Sequence, residues 1–95
     1  MFVVLLRFAG NKGKAGQFME PHRAWLQRGF DDGIFLVAGS LQPSLGGAIL
    51  ARGSSLPDLQ ARVNADPFVA EGVVSAEILE ISPSRVDDRL KSVLA

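Results

Sequence analysis

The chain has no cysteine and no tyrosine, only one histidine and one tryptophan, and no net charge. Without cysteine there is no disulfide framework and no thiol nucleophile, and a zinc site built from histidine and thiolate is ruled out as well. Ten basic residues against ten acidic ones leave no overall field to hold the chain on nucleic acid or on an anionic membrane. No apolar run approaches the roughly 18 residues a bilayer-spanning helix needs. The apolar opening Met1 to Phe8 is short for a signal peptide and lacks its basic leader and small-residue cleavage site. The expected location is the cytoplasm, with neither nucleic acid nor membrane as a partner.

What the chain does have is a large apolar share. Of its 95 residues, 47% are hydrophobic and 21% charged, with a mean hydropathy of +0.21. That composition is globular, and it is apolar for a chain this small, which buries a lesser share of its surface than a longer one. An oligomer interface is the expectation. One domain spanning 1–95 is expected, with a core over 1–82 and a tail over 83–95.

Hydrophobic periodicity supplies the elements. Phe2 to Phe8 reads as a strand covered on both faces. Ala9 to Gly16 reads as a flexible polar loop able to reach over a site. From Gln17 to Asp32, the residues Phe18, Met19, Trp25, Leu26 and Phe30 recur at helical spacing. Pro21 either lies in the first turn of a helix starting near Glu20 or kinks a longer one, and Gly33 supplies a left-handed stop. Strand two, Ile34 to Ser40, alternates, with Ile34, Leu36, Ala38 and Ser40 on one face and Phe35, Val37 and Gly39 on the other. A turn at Gln42-Pro43-Ser44 leads into strand three, Leu45 to Arg52, where Gly46 and Gly47 mark a bulge or a close backbone approach. Ser54 or Ser55 caps a second helix that ends before Pro67. Phe68 to Gly72 connects it to strand four, Val73 to Ile81. In the tail, Val86, Leu90, Val93 and Leu94 have the spacing of a third helix.

The order strand, helix, strand, strand, helix, strand is the ferredoxin-like α+β arrangement. It implies a four-stranded antiparallel sheet with both helices on one face. The other face then needs a cover, and a second copy of the chain is the simplest, giving a two-fold homodimer through the sheet face.

Taken together, these features resemble the YCII-related family of the dimeric α+β barrel superfamily. The resemblance, over residues 1 to about 82, is carried by five features. They are the opening Met1-Phe2-Val3-Val4-Leu5-Leu6, His22 followed by Leu26, Gly33 through Ala38-Gly39, Ala65-Asp66-Pro67-Phe68, and Gly72. It implies a homodimer with a cleft in each subunit lined by a paired histidine and aspartate, here His22 and Asp66. It also implies an architecture like that of muconolactone isomerases and small cofactor-free oxygenases. One branch of the family is linked to removal of chloride from chlorinated hydroxyquinones. The chain departs from the pattern in having Ser40 where proline is common, and in the Pro21 and glycine-rich loop before His22.

In chemical terms, a neutral imidazole takes or gives a proton near pH 7, and a carboxylate on one ring nitrogen fixes the tautomer and stabilises the charged form. On residue-level grounds alone, His22 also fits a hydrogen-bonded histidine at a helix edge, and Asp66 an ordinary turn acid before proline. Ser40 and Arg7 are candidates to hold a substrate oxygen or carboxylate, against a small strand-end residue and a salt bridge. Trp25 and Phe68 are candidate aromatic walls, against plain core packing. The glycines at 10, 13 and 16 lack a phosphate-loop pattern. The leading expectation is an isomerase or lyase acting on a compact planar or carboxylated small molecule, with no metal and no organic cofactor. The alternative is a metabolite-binding or accessory dimeric module without turnover.

Overall fold

The computed structural model describes residues 1–94; Ala95, the last residue of the tail, lies outside the described residues. Four strands form one antiparallel sheet: β1 (Phe2–Phe8), β2 (Phe35–Leu41), β3 (Gly46–Ala51) and β4 (Val74–Glu80), in the order β2-β3-β1-β4. Helices α1 (Ala15–Asp31), α2 (Leu56–Asn64) and α3 (Pro67–Ala70) cover one face, and the tail ends in a single turn, α4 (Lys91–Leu94). This is the ferredoxin-like α+β arrangement expected from the element order. Among the described residues, no helix is long and apolar enough to cross a membrane.

The core lies between the sheet and the helices. Alternation along β1 sends Phe2, Val4 and Leu6 toward α1 and α2, where they meet Trp25, Phe35, Ile49, Leu59 and Val63, all buried. Trp25 adds a polar link, its indole N–H donating to the Arg62 carbonyl at 2.9 Å and pinning α1 to the end of α2.

Local signals set the helix ends. Gly33 takes φ +72°, its N–H bonding the Phe30 carbonyl while the Ile34 N–H bonds that of Gly29. That pair of bonds closes α1 as the glycine predicted. Ser55, not Ser54, caps α2, its hydroxyl accepting from the Asp58 N–H at 3.2 Å.

Two expectations change, and two alternatives left open are settled. The stretch 9–16 is not a loose loop: Lys12–Lys14 form a 3-10 turn that leads straight into α1. The Ala9 and Asn11 N–H groups bond the Val73 and Gly72 carbonyls, both at 2.9 Å. Helix α1 accordingly starts at Ala15, and Pro21 lies inside it. In β2, an irregularity between Phe35 and Val37 resets the alternation, so Phe35 shares the helix-covered face with Ala38 and Ser40 rather than with Val37 and Gly39. Of the bulge or close backbone approach expected at Gly46 and Gly47, Gly46 supplies the close approach, since a Cβ there would run into the Leu6 carbonyl. The tail is helical as expected, in a 3-10 turn, Asp88–Leu90, followed by the single turn α4. It lies against its own chain, with the Arg52 side chain donating to the Val93 carbonyl at 2.7 Å.

Candidate functional site

The site is built where α1 faces the corner between α2 and α3. Ala65 closes α2, and Pro67 opens α3 with its fixed φ, which forces Asp66 into extended backbone at φ −61° and ψ 123°. There Asp66 acts as the N-cap of α3, with Oδ1 accepting from the Phe68 N–H at 3.0 Å. The same corner turns the side chain inward, and Asp66 is fully buried.

His22 arrives from the inward stripe of α1, one turn after Met19 and one before Leu26. Its Nδ1 lies 2.8 Å from Asp66 Oδ1. Because that oxygen is an acceptor, the geometry assigns the proton of the neutral ring to Nδ1 and leaves Nε2 as the basic nitrogen. Nε2 makes no hydrogen bond among the described residues. Phe68 stacks on the imidazole, with ring centroids 3.9 Å apart and planes 6° from parallel. Asp66 Oδ2 is buried without a donor among the described residues, an arrangement that typically costs about 1–3 kcal/mol. Strain of this kind is characteristic of sites kept for reasons other than stability.

A cavity of about 280 Å³ opens beside the imidazole, lined by apolar side chains such as Leu6, Met19 and Phe68 together with His22 and Ser40. A second space of about 210 Å³ adjoins it, and it too is lined by His22 and Ser40. Ser40 enters because the irregularity in β2 turns it to the helix face, where it pairs with Gly47. Its hydroxyl makes no hydrogen bond among the described residues.

The other candidates are placed differently. Arg7 lies between Leu6 and Phe8 on β1 and therefore points to the uncovered face, where Nη1 bonds Glu77 Oε1 at 2.8 Å. The sheet separates it from the imidazole, so in the protomer it is a surface ion pair rather than a carboxylate clamp. Trp25 is buried and stacks 5.7 Å from His22, supporting the ring from behind without lining the cavity. Among the described residues, no three histidine, aspartate or glutamate side chains gather where they could hold a metal ion. Leu6, Phe8, Met19 and Gly47 line the cavity and were not singled out as site residues; the alternation of β1 was the signal that groups Leu6 and Phe8.

No protein-family model and no curated protein sequence matches the chain. Among solved structures, the chain is similar to 5-chloro-2-hydroxyhydroquinone dehydrochlorinase from Burkholderia phenoliruptrix AC1100, in complex with 2,5-dihydroxybenzoquinone. The TM-score is 0.69 and the identity 16%, over 86% of this chain and 94% of that one. At that identity the likeness establishes a shared α+β fold.

Proposed function

We propose that the chain is a YCII-related, cofactor-independent enzyme of the isomerase or lyase type, in which His22 moves a proton and Asp66 orients it. The observation that carries this reading is the 2.8 Å contact between His22 Nδ1 and Asp66 Oδ1, made beside a cavity that the imidazole lines. In this scheme Nε2 takes a proton from a carbon of a compact planar molecule. The electron pair of the broken C–H bond stays as an enolate or expels a leaving anion such as chloride. The imidazolium, held through Nδ1 by the carboxylate, then returns its proton to another carbon or oxygen. Ser40 donates to the oxygen on which negative charge develops. Positioned acid–base chemistry of this kind contributes ~10²–10⁴-fold. The fold likeness to a dehydrochlorinase supports the reaction class.

The same reading includes a homodimer through the uncovered sheet face. Supporting it, Val37, Leu50, Val3 and Leu79 form an apolar row across all four strands of that face. Val37 is 56% exposed and Leu79 45%.

Exchange of the ring CH2 protons next to the carbonyl of 2-cyclohexenone for deuterium, followed by NMR in D2O, tests the proton-transfer step. The wild type should accelerate exchange, and His22→Ala should lose ~10²-fold or more of that acceleration. Equal rates in the two proteins overturn the reading in favour of a metabolite-binding module.

A further inference from the structure

The space beneath the imidazole exists because one strand position carries no side chain. On the helix-covered face, Ser40, Gly47 and Leu6 stand side by side on β2, β3 and β1. Leu6 and Ser40 project side chains and Gly47 does not. The two cavities meet at this point, both being lined by Leu6, His22, Ser40 and Gly47.

The neighbouring glycine has a different reason to be there. Gly46 has φ +134°, and a Cβ on it would collide with the Leu6 backbone, so the fold itself requires glycine. At Gly47 neither condition applies. Its φ is not in the left-handed region, and a Cβ would meet only the Gly39 carbonyl oxygen, at 3.4 Å, an ordinary contact. Glycine inside a strand weakens it through lost packing and added entropy, and it commonly marks a place where a ligand comes close to the backbone. Position 47 thus gives up strand stability to keep a floor bare under the one imidazole in the chain.

The chemistry of the walls narrows what fits there. An apolar cavity of about 150 Å³ accepts benzene, so about 280 Å³ accommodates one six-membered ring with small substituents. In both spaces the polar side chains are His22 and Ser40, and no lysine or arginine lines either. A carboxylate placed there would find no lysine or arginine among the lining residues to pair with.

We propose that Gly47 sizes the substrate, and that the bare floor between Gly47 and His22 is a subsite for one uncharged planar ring with an oxygen substituent directed at the Ser40 hydroxyl. The word substrate rests on the proton-transfer reading above; occupancy of the subsite does not.

The test is an NMR titration of the full chain with hydroquinone and, separately, benzoate. Hydroquinone should shift the amides of Gly39, Ser40 and Gly47 and the ring signals of His22, and benzoate should bind more weakly. Gly47→Val should weaken hydroquinone at least ~10-fold, the scale of a methylene-sized misfit in a pocket, with Gly47→Ala intermediate. Gly13→Ala, on an exposed turn, should bind as wild type. If Gly47→Val does not fold, Gly47→Ala carries the test. Shifts absent from this cluster, unchanged affinity in the Gly47 variants, or benzoate binding as tightly as hydroquinone each overturn the proposal. The two readings fail separately. A wild type that binds hydroquinone but shows no exchange of the cyclohexenone ring protons sinks the enzymatic reading alone, and unchanged binding in the Gly47 variants sinks the subsite alone.

Discussion

Phe68 lies flat against His22, with ring centroids 3.9 Å apart, while its own backbone N–H donates to the Asp66 oxygen that His22 Nδ1 reaches. One residue therefore sets both the plane of the imidazole and the position of its carboxylate partner. The α2–α3 corner, rather than α1, organises the pair: α1 delivers a histidine, and the Asp-Pro-Phe turn decides which way its two nitrogens point. A short turn does this because Pro67 fixes the backbone on which both Asp66 and Phe68 depend.

Asp66→Asn separates charge from shape. Asparagine keeps an acceptor for the Phe68 N–H, so the fold should persist, but it cannot support an imidazolium, and it puts N–H donors where Oδ2 is now buried. Turnover should fall at least ~10²-fold with little change in KM. The neutral ring should keep its Nδ1–H form in 15N spectra, because the oxygen that accepts from the Phe68 N–H is also the one that accepts from Nδ1. Wild-type turnover in a folded Asp66→Asn protein would show that the negative charge on Asp66 has no part in the reaction. Asp66→Ala also removes the α3 cap, a loss of about 1 kcal/mol, and strands two donors. Its Tm should drop by roughly 10 °C or more, at ~4–8 °C per kcal/mol for a domain of this size.

Phe68→Leu tests the stack. Leucine keeps the position apolar in a place only 7% exposed, but it removes the flat face that holds the imidazole plane. Beyond the lost area, a stacked aromatic pair is worth about 0.5–1.5 kcal/mol, so Tm should fall by several degrees while the variant still folds cooperatively. The turnover loss should exceed what the stability loss explains, and it should persist at temperatures where the variant is fully folded by circular dichroism. Wild-type turnover in a folded Phe68→Leu protein would reduce the stack to core packing.

The sequence showed these features unevenly, for physical reasons. The Gly33 stop, a serine cap at 54 or 55 and the Asp66–Pro67 corner were legible because each depends on a few adjacent residues. The His22–Asp66 contact joins residues 44 apart in the chain, and local pattern left both with ordinary roles. Only the family resemblance paired them. The facing of Ser40 was assigned correctly relative to Ala38 but wrongly relative to Phe35, because the irregularity between Phe35 and Val37 is a property of pairing with β3. Arg7 was open to either reading until the register of β1 against β4 put it beside Glu77. The bare floor at Gly47 was hidden because two adjacent glycines look alike in sequence, although only Gly46 is demanded by its backbone.

Gly29→Ala sets helix propensity against packing. In an exposed helix the change should stabilise by about 1 kcal/mol. Gly29, however, is buried on α1, and a new Cβ would run into the Phe35 ring. Overpacking a filled core typically costs about 1–3 kcal/mol, so the net effect should be destabilising, read as a lower midpoint in urea at unchanged m-value. Because Phe35 also packs edge-on against Trp25 at 5.2 Å, and Trp25 stands behind His22, the variant should lose some activity as well. A raised midpoint would mean that Phe35 moves aside freely.

The uncovered face of the sheet gives the last prediction. The row Val37, Leu50, Val3 and Leu79 runs from one edge strand to the other, and an apolar stripe of that extent facing water is what a symmetric partner would cover. The chain should scatter light in solution as a species of twice its 10.1 kDa mass. Val37→Lys together with Leu79→Lys should yield monomers, because two cations per copy would have to be desolvated at the joint. Both positions are largely exposed in the protomer, so the double variant should keep its far-UV circular dichroism and its cavity. Its dyad should still form, with the same 15N pattern at His22. A wild type that stays monomeric at micromolar concentration, or a double variant that still pairs, would mean that this face is covered by something other than a second copy.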